Sequence, residues 1–120
     1  MKIAVIAHDG KKADMVAFIM KRLEFFKGVD ILATGTTGKH IEHAGLEVEC
    51  LKSGPLGGDA QIAAMIADGK IDAVIFFIDP LEAHAHQVDV NMLLRICNVY
   101  NVPLATNYAT ASLIIANIKK

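Results

Sequence analysis

The sequence contains little of what is typical of membrane, nucleic-acid-binding or disulfide-rich proteins. Tryptophan is absent, and the 120 residues include only two cysteines and three prolines. The longest uninterrupted apolar runs, among them residues 73–78, are far shorter than the ~20 residues needed to cross a bilayer. A net charge of −1 gives no general attraction to nucleic acid or to anionic lipid. We therefore expect no nucleic-acid partner and no membrane partner.

The two cysteines exclude a disulfide framework and any site built from a cysteine pair. Cys50 and Cys97 lie in apolar stretches and lack the spacing of a metal site. They are predicted to be buried, free thiols, which persist in a reducing compartment. The apolar residues 3–7 are too few for the core of a signal peptide. The expected location is therefore cytoplasmic.

Apolar residues, in contrast, are abundant and make up 53% of the chain. This fraction argues against disorder, and we expect one domain over residues 1–120 with a substantial core. Short apolar runs alternate with segments of helical period. Strands are predicted at residues 3–7, 31–33, 48–51, 73–78 and 104–106, and helices at about 16–23, 37–43, 61–67, 90–97 and 109–118.

Five successive strand–helix units predict an α/β fold with an open, doubly wound, five-stranded parallel sheet and helices on both faces. In such a sheet, ligands bind outside the carboxyl ends of the strands. The polar loops that follow the predicted strands should therefore gather at one edge. They comprise residues 8–12, 34–38, 53–59 and 79–89, together with Asn107.

The most informative loop is Ser-Gly-Pro-Leu-Gly-Gly-Asp at residues 53–59, which precedes a predicted helix. Glycines let the backbone approach a ligand closely, and the N-terminus of a helix favours anions. A carboxylate beside a bound phosphate is electrostatically costly, so Asp59 is predicted to have a chemical role. Proton transfer on a phosphorylated metabolite is the role that fits best.

A second loop, Thr-Gly-Thr-Thr-Gly at residues 34–38, offers three hydroxyls and two glycines. Hydroxyls and backbone N–H groups suit a phosphate dianion, although an ordinary helix N-cap explains the same residues equally well. The chain contains neither Gly-Lys-Ser/Thr nor G-x-G-x-x-G. A small phosphate ester is therefore expected in preference to a nucleotide.

Several charged residues are candidates for the same edge. Lys12 could anchor a phosphate as a point charge, or it could be a solvated lysine like Lys11. His8 could hydrogen-bond a substrate oxygen while Asp9 orients its neighbours, or both could cap the loop.

The connection after the fourth predicted strand contains His86 and Asp89. His86 could polarise a carbonyl oxygen. Alternatively, this segment is a solvated lid in which Asp89 is the N-cap of a helix beginning at Val90. The pairs His84/His86 and His40/His43 could each give two metal ligands, but no cysteine pair or His-Glu helix motif supports them, so no metal is expected.

Together these motifs closely resemble methylglyoxal synthase, and the similarity covers nearly the whole chain. The shared positions are His8, Asp9 and Lys12, residues 34–38, residues 53–59, residues 76–81, His86, Asp89, residues 93–95, residues 103–107 and residues 110–111. Each motif is weak alone, but their order and spacing are specific. Two departures are Gln87-Val88, where the family usually has an acidic residue followed by proline, and Ala60 in place of a common glutamine.

The resemblance implies an enzyme of a glycolytic bypass, a lyase that forms methylglyoxal and inorganic phosphate from dihydroxyacetone phosphate with no metal and no cofactor. It also implies a homohexamer inhibited by phosphate. Asp59 would be the catalytic base, His86 the electrophile, and Asp9 and Asp89 supporting acids. Residues matching the family's ligand-binding positions are His8, Lys12, Thr34, Gly35, Thr36, Thr37, Ser53, Gly54 and His86.

Two other kinds of protein share parts of this pattern, an effector-binding module and a receiver domain. Similar domains serve as effector-binding modules of larger enzymes such as carbamoyl phosphate synthetase, but this chain keeps the catalytic-type carboxylates. A phosphoacceptor receiver domain needs an acceptor aspartate after the third strand and a lysine after the fifth. The chain has Leu51-Lys52-Ser53 and Asn107 at those places, which excludes it.

Overall fold

A computed structural model describes residues 1–82 and 87–118, which form a parallel sheet flanked by helices. The strands are β1 (Lys2–Ala7), β2 (Asp30–Thr34), β3 (Val48–Leu51), β4 (Ala73–Phe77) and β5 (Leu104–Ala105). Their order across the sheet is β3-β2-β1-β4-β5, and every pairing is parallel. This confirms the predicted open five-stranded sheet.

The helices are α1 (Lys12–Met20), α2 (Leu23–Phe26), α3 (Gly35–His43), α4 (Gly58–Ala67), α5 (Gln87–Val99) and α6 (Tyr108–Asn117). Single 3-10 turns occupy Asp9–Lys11 and Gly54–Leu56. Within the described ranges, none of these helices is long and apolar enough to span a membrane.

Alternating side chains of β1 enter two separate cores, one on each face of the sheet. Ile3 and Val5 join a core with Phe18 of α1 and Ile115 of α6. Ala4 and Ile6 join a second core that includes side chains of α4 and α5. A strand buried on both faces reads as a continuous apolar run, which is why β1 and β4 were predictable.

The prediction of one helix over residues 16–23 is wrong at the C-terminal end. Arg22 leaves the helical region (φ −123°, ψ 34°), and α2 begins after it. The Arg22 guanidinium then donates to the Phe18 carbonyl at 3.1 Å and to Ser112 Oγ at 2.8 Å, and stacks 4.0 Å from the centre of the Phe18 ring. These contacts join α1 to α6. The hydrophobic periodicity of a single segment cannot predict them, because they involve residues far apart in the sequence.

The prediction that both cysteines are buried holds for Cys97 and is wrong for Cys50. Cys50 lies on β3, which stands at one edge of the described sheet and pairs with β2. An edge strand is covered less completely than a central one. An apolar sequence around a residue of such a strand therefore does not mean that the residue is buried.

Candidate active site

A cleft of about 710 Å³ lies at the carboxyl edge of the sheet, where the predicted loops meet. Ten of the predicted site residues line it: His8, Asp9, Lys12, Thr34, Gly35, Thr36, Thr37, Ser53, Gly54 and Asp59. These residues follow β1, β2 and β3, or begin the next helices. The parallel sheet therefore brings together side chains that are far apart in the sequence.

Two helix N-termini face this cleft. The structure begins α3 at Gly35 and α4 at Gly58, earlier than the predicted starts at 37 and 61. Residues 35–38 are therefore the first turn of a helix and not a loop. The first N–H groups of a helix lack acceptors within it and carry partial positive charge. Two helix starts therefore place partial positive charge at the cleft, in a chain whose net charge is −1.

Gly35 allows the first of these turns to approach Ser53. Its φ is +51°, a conformation that residues with a Cβ adopt at a cost. A Cβ at position 35 would lie 3.1 Å from Ser53 Cβ and 3.2 Å from Ser53 Cα. The start of α3 and the 53–54 segment therefore form adjacent walls of the cleft.

Asp59 lies in the first turn of α4 and is buried, with 6% of its surface exposed. The chain enters this turn through Gly57 at φ +111°, and the Gly58 N–H donates to the Ser53 carbonyl at 3.0 Å. A Cβ at Gly54 would lie 3.0 Å from Asp59 Oδ2, so the carboxylate packs against that backbone. The carboxylate thus lies at the N-terminus of α4, which is the positive end of the helix dipole.

Lys12 is the first residue of α1, and its side chain contacts the first turn of α3. Its Nζ lies 2.9 Å from Asp9 Oδ1 and donates to Thr36 Oγ1. The Lys12 side chain is 23% exposed, whereas that of Asp9 is 92% exposed. An ion pair with so exposed a carboxylate contributes little energy, so the ammonium can turn to a bound anion at small cost.

His8 follows β1 and is held by the main chain of the next strand. Its backbone N–H donates to the Phe77 carbonyl at 3.1 Å, and its Nδ1 accepts the Asp79 N–H at 2.9 Å. The imidazole meets the Phe76 ring edge to face, with centres 5.1 Å apart.

The other two predicted catalytic residues belong to the segment after β4. His86 lies outside the described residues. Asp89 is half-buried in the first turn of α5, next to Val90, which lines the cleft. Because α5 begins at Gln87, the alternative that Asp89 is the N-cap of a helix starting at Val90 is wrong.

Sequence reasoning missed several residues at the cleft. Lys39 and Glu82 line it, and so does Cys50. Lys39 lies one turn after Gly35, so an earlier helix start would have placed it near the site. The Cys50 Sγ donates to Glu42 Oε1 at 3.1 Å, and partial desolvation of the exposed thiol together with this carboxylate raises its pKa.

His40 and His43 lie in the last turn of α3 and are exposed. In residues 1–82 and 87–118, no group of three or more His, Cys, Asp or Glu side chains is arranged to hold a metal ion. The expectation that the chain works without a metal stays a prediction.

Comparison with known proteins identifies the relatives of this chain. The model of the MGS-like domain family matches residues 14–106. The methylglyoxal synthase of Carboxydothermus hydrogenoformans is 55% identical over 116 residues, which is 96% of each chain. That of Bacillus subtilis is 52% identical over 98% of this chain and 87% of its own. A crystal structure of the enzyme from Elizabethkingia anophelis superposes with a TM-score of 0.91 at 48% identity, covering 97% of this chain and 77% of that one.

Proposed function

The chain belongs to the methylglyoxal synthase family, and we infer that it converts dihydroxyacetone phosphate to methylglyoxal and inorganic phosphate. It is a lyase that eliminates phosphate by cleaving a carbon–oxygen bond. The observation that carries this conclusion is more than 50% identity to enzymes of this name over at least 96% of the chain. A regulatory module is the weaker alternative, because these relatives are similar in length and bear the enzyme's name.

For the phosphate group, we propose a site at the N-terminus of α3. The backbone N–H groups and hydroxyls of residues 34–37 would bind it, with Ser53 and Gly54 on the adjacent wall and Lys12 as the cation. Support comes from the fact that all of these groups line one cleft. A helix N-terminus with a lysine is a suitable phosphate site in a chain that has no overall positive charge.

For the first chemical step, we propose that Asp59 removes a proton from C3, the hydroxymethyl carbon, to form an enediolate. Its burial in the cleft wall beside Gly54 supports this role, since few water molecules can compete for the carboxylate. A positioned general base typically accelerates such a step by about 10²–10⁴-fold.

The oxygen at C2 gains negative charge as the enediolate forms. By resemblance to the family, His86 would donate a hydrogen bond to it, and His8 would hydrogen-bond the substrate. Loss of one donor to such an oxygen costs about 2.7–4 kcal/mol in other enzymes. Asp9, which contacts Lys12, and Asp89 would support the site.

Phosphate then leaves from C1, and the resulting enol tautomerises to methylglyoxal. Elimination requires the C1–O bond to lie roughly parallel to the π system of the enediolate, so that its electrons flow into the breaking bond. An isomerase of the same substrate must hold this bond in the plane to keep the phosphate. The turn at the start of α3 would fix the out-of-plane geometry and stabilise the leaving anion.

The assembly and location remain proposals drawn from the family resemblance: a single-domain protein that forms a homohexamer in the cytoplasm and is inhibited by phosphate. Exposed apolar side chains support an assembled state. Leu56 and Leu81 are 75% and 94% exposed, and burial of such side chains between subunits would favour association.

A turnover assay tests the proposed function. The purified protein, treated with a chelator, is incubated with dihydroxyacetone phosphate, and methylglyoxal, phosphate and glyceraldehyde 3-phosphate are measured separately. We expect equal amounts of methylglyoxal and phosphate without isomerisation. Asp59→Asn should remain folded by circular dichroism and lose most of this activity. Near-normal turnover by Asp59→Asn would reject Asp59 as the base, and absence of methylglyoxal from wild type would reject the function.

A further inference from the structure

A main-chain hydrogen bond fixes the proton on the His8 ring. The peptide N–H of Asp79 donates to His8 Nδ1 at 2.9 Å, and the two residues are 71 positions apart in the sequence. A peptide N–H can only donate, so Nδ1 must present its lone pair. An imidazolium has N–H at both nitrogens and could not accept this bond. The contact therefore selects a neutral imidazole with its proton on Nε2.

The surroundings of the ring hold it in this orientation. The His8 imidazole packs edge to face on the buried Phe76 ring, and the His8 backbone is tied to the Phe77 carbonyl. Turning the ring over would place a carbon opposite the Asp79 N–H. A partly buried donor left without an acceptor costs about 1–3 kcal/mol, so the observed orientation is strongly preferred.

The Asp79 side chain in turn holds the Asp79 peptide. Its Oδ1 accepts the Leu81 N–H at 3.1 Å, which closes a local turn just after β4. Its Oδ2 occupies space that a side chain at position 10 would need, since a Cβ on Gly10 would lie 2.5 Å from this oxygen. The carboxylate is thus fitted between its own turn and the glycine that follows β1.

We propose that Asp79 is a positioning residue for the reaction: its peptide N–H keeps His8 in the Nε2–H form, and its carboxylate keeps that peptide in place. His8, which lines the cleft, then meets a substrate oxygen through Nε2–H as a neutral donor. A neutral donor adds no further full positive charge to a cleft that Lys12 and Lys39 already line. This inference rests on the proposed contact between His8 and the substrate.

The wild-type enzyme provides the first test, and no substrate is needed. Long-range ¹H–¹⁵N correlation spectra of protein with ¹⁵N-labelled histidine distinguish protonated from unprotonated ring nitrogens. The His8 signals are identified by their loss in His8→Gln. At neutral pH we expect Nε2 protonated and Nδ1 unprotonated. A proton on Nδ1, or a mixture of the two forms, would overturn the proposal without bearing on the overall reaction.

The second test separates positioning from general stability. Asp79→Ala should lower kcat/KM by about 10-fold, which corresponds to the loss of one hydrogen bond of ordinary strength. It should also shift the His8 nitrogen signals toward a mixture of both forms. Asp79→Asn keeps an oxygen that can accept the Leu81 N–H, so it should restore both properties.

The matched control is Asp72→Ala. The Asp72 carboxylate also accepts a peptide N–H, that of Lys2 at 2.8 Å, but at the opposite edge of the sheet. This variant should change neither the His8 spectrum nor kcat/KM. An Asp79→Ala enzyme with wild-type His8 signals would refute the positioning role, whatever its activity. If Asp79→Ala does not fold, the wild-type spectrum and Asp79→Asn still decide the question.

Discussion

The charged residues of the cleft differ in solvent exposure, and this difference suits them to different roles. Asp59 is buried at a helix start, Asp9 is almost fully exposed, and Lys12 lies between these extremes. Burial keeps water from the Asp59 carboxylate and suits a base, while exposure leaves Asp9 with an ion pair of small energy. Residue type alone would not separate these two aspartates.

Lys12→Ala should weaken the binding of substrate and of inorganic phosphate. The lost charge-assisted hydrogen bond contributes about 1.5–3 kcal/mol, which corresponds to a rise in Kd of about 10- to 100-fold. Isothermal titration with phosphate measures this directly. Lys11→Ala is the control, because Lys11 pairs only loosely with the exposed Asp14 at 3.8 Å. Equal losses in both variants, or no loss in Lys12→Ala, would refute the anchoring role.

The Cys97 thiol makes the folded protein less stable as the pH becomes alkaline. Burial raises the pKa of the Cys97 thiol from 9.0 to about 11. The unfolded chain therefore loses this proton at lower pH than the folded protein does, and rising pH favours unfolding. The stabilisation that this pKa difference gives the folded protein is fully present below pH 9, and it is lost as the pH rises through about 11.

Thermal unfolding from pH 8 to 11 measures this effect. At pH 8, Cys97→Ala should have a lower Tm than wild type, because the substitution leaves a cavity. Between pH 8 and 11, its Tm should fall by less than that of wild type. Other groups titrate equally in both proteins, so the comparison isolates the thiol. Parallel curves for the two proteins would show that Cys97 does not contribute.

At the scale of elements, glycines set where α3 and α4 begin, and so where the site lies. A Cβ on Gly58 would lie 1.9 Å from the Lys52 carbonyl oxygen and 2.9 Å from Thr34 Cγ2. The first contact is with backbone, which cannot rotate away as a side chain could. The start of α4 would have to move, and Asp59 would move with it.

Gly58→Ala should therefore lower both stability and activity. Overpacking of this kind typically costs about 1–3 kcal/mol, measurable by urea unfolding. The control is Gly69→Ala, just beyond the other end of α4. There φ is +74° and a Cβ would have open space, so only backbone strain is added. Both variants should lose stability, but only Gly58→Ala should lose most of its turnover. Full activity in Gly58→Ala would contradict this link.

The strands and most helices could be predicted because local patterns determine them. β1 and β4 are continuous apolar runs buried on both faces. The end of α1 could not be predicted, because Arg22 turns toward partners in α6. Likewise, the Asp79–His8 hydrogen bond joins residues that only the folded sheet brings together. The polar segments of the site could be located from sequence, but the early start of α3 and the contacts within the site depend on tertiary structure.

At the scale of the whole molecule, we expect the chain to assemble. Large apolar side chains are exposed at several places, among them Leu56, Leu81 and Leu113. Burial of apolar surface contributes about 25 cal/mol per Å² toward association, before the entropy cost of joining the subunits. Light scattering coupled to size exclusion should give the mass of a hexamer, six times 12.9 kDa. A monomer at micromolar concentration would contradict the proposed assembly.

The most direct test of the site as a whole is a crystal structure with an unreactive enediolate mimic that carries a phosphate ester. The phosphate should lie at the N-terminus of α3 beside Lys12. The Asp59 carboxylate should lie about 3–3.5 Å from the atom that replaces C3, the separation of reacting groups in a productive complex. A carboxylate turned away from that atom, or a phosphate bound elsewhere, would contradict the proposed chemistry.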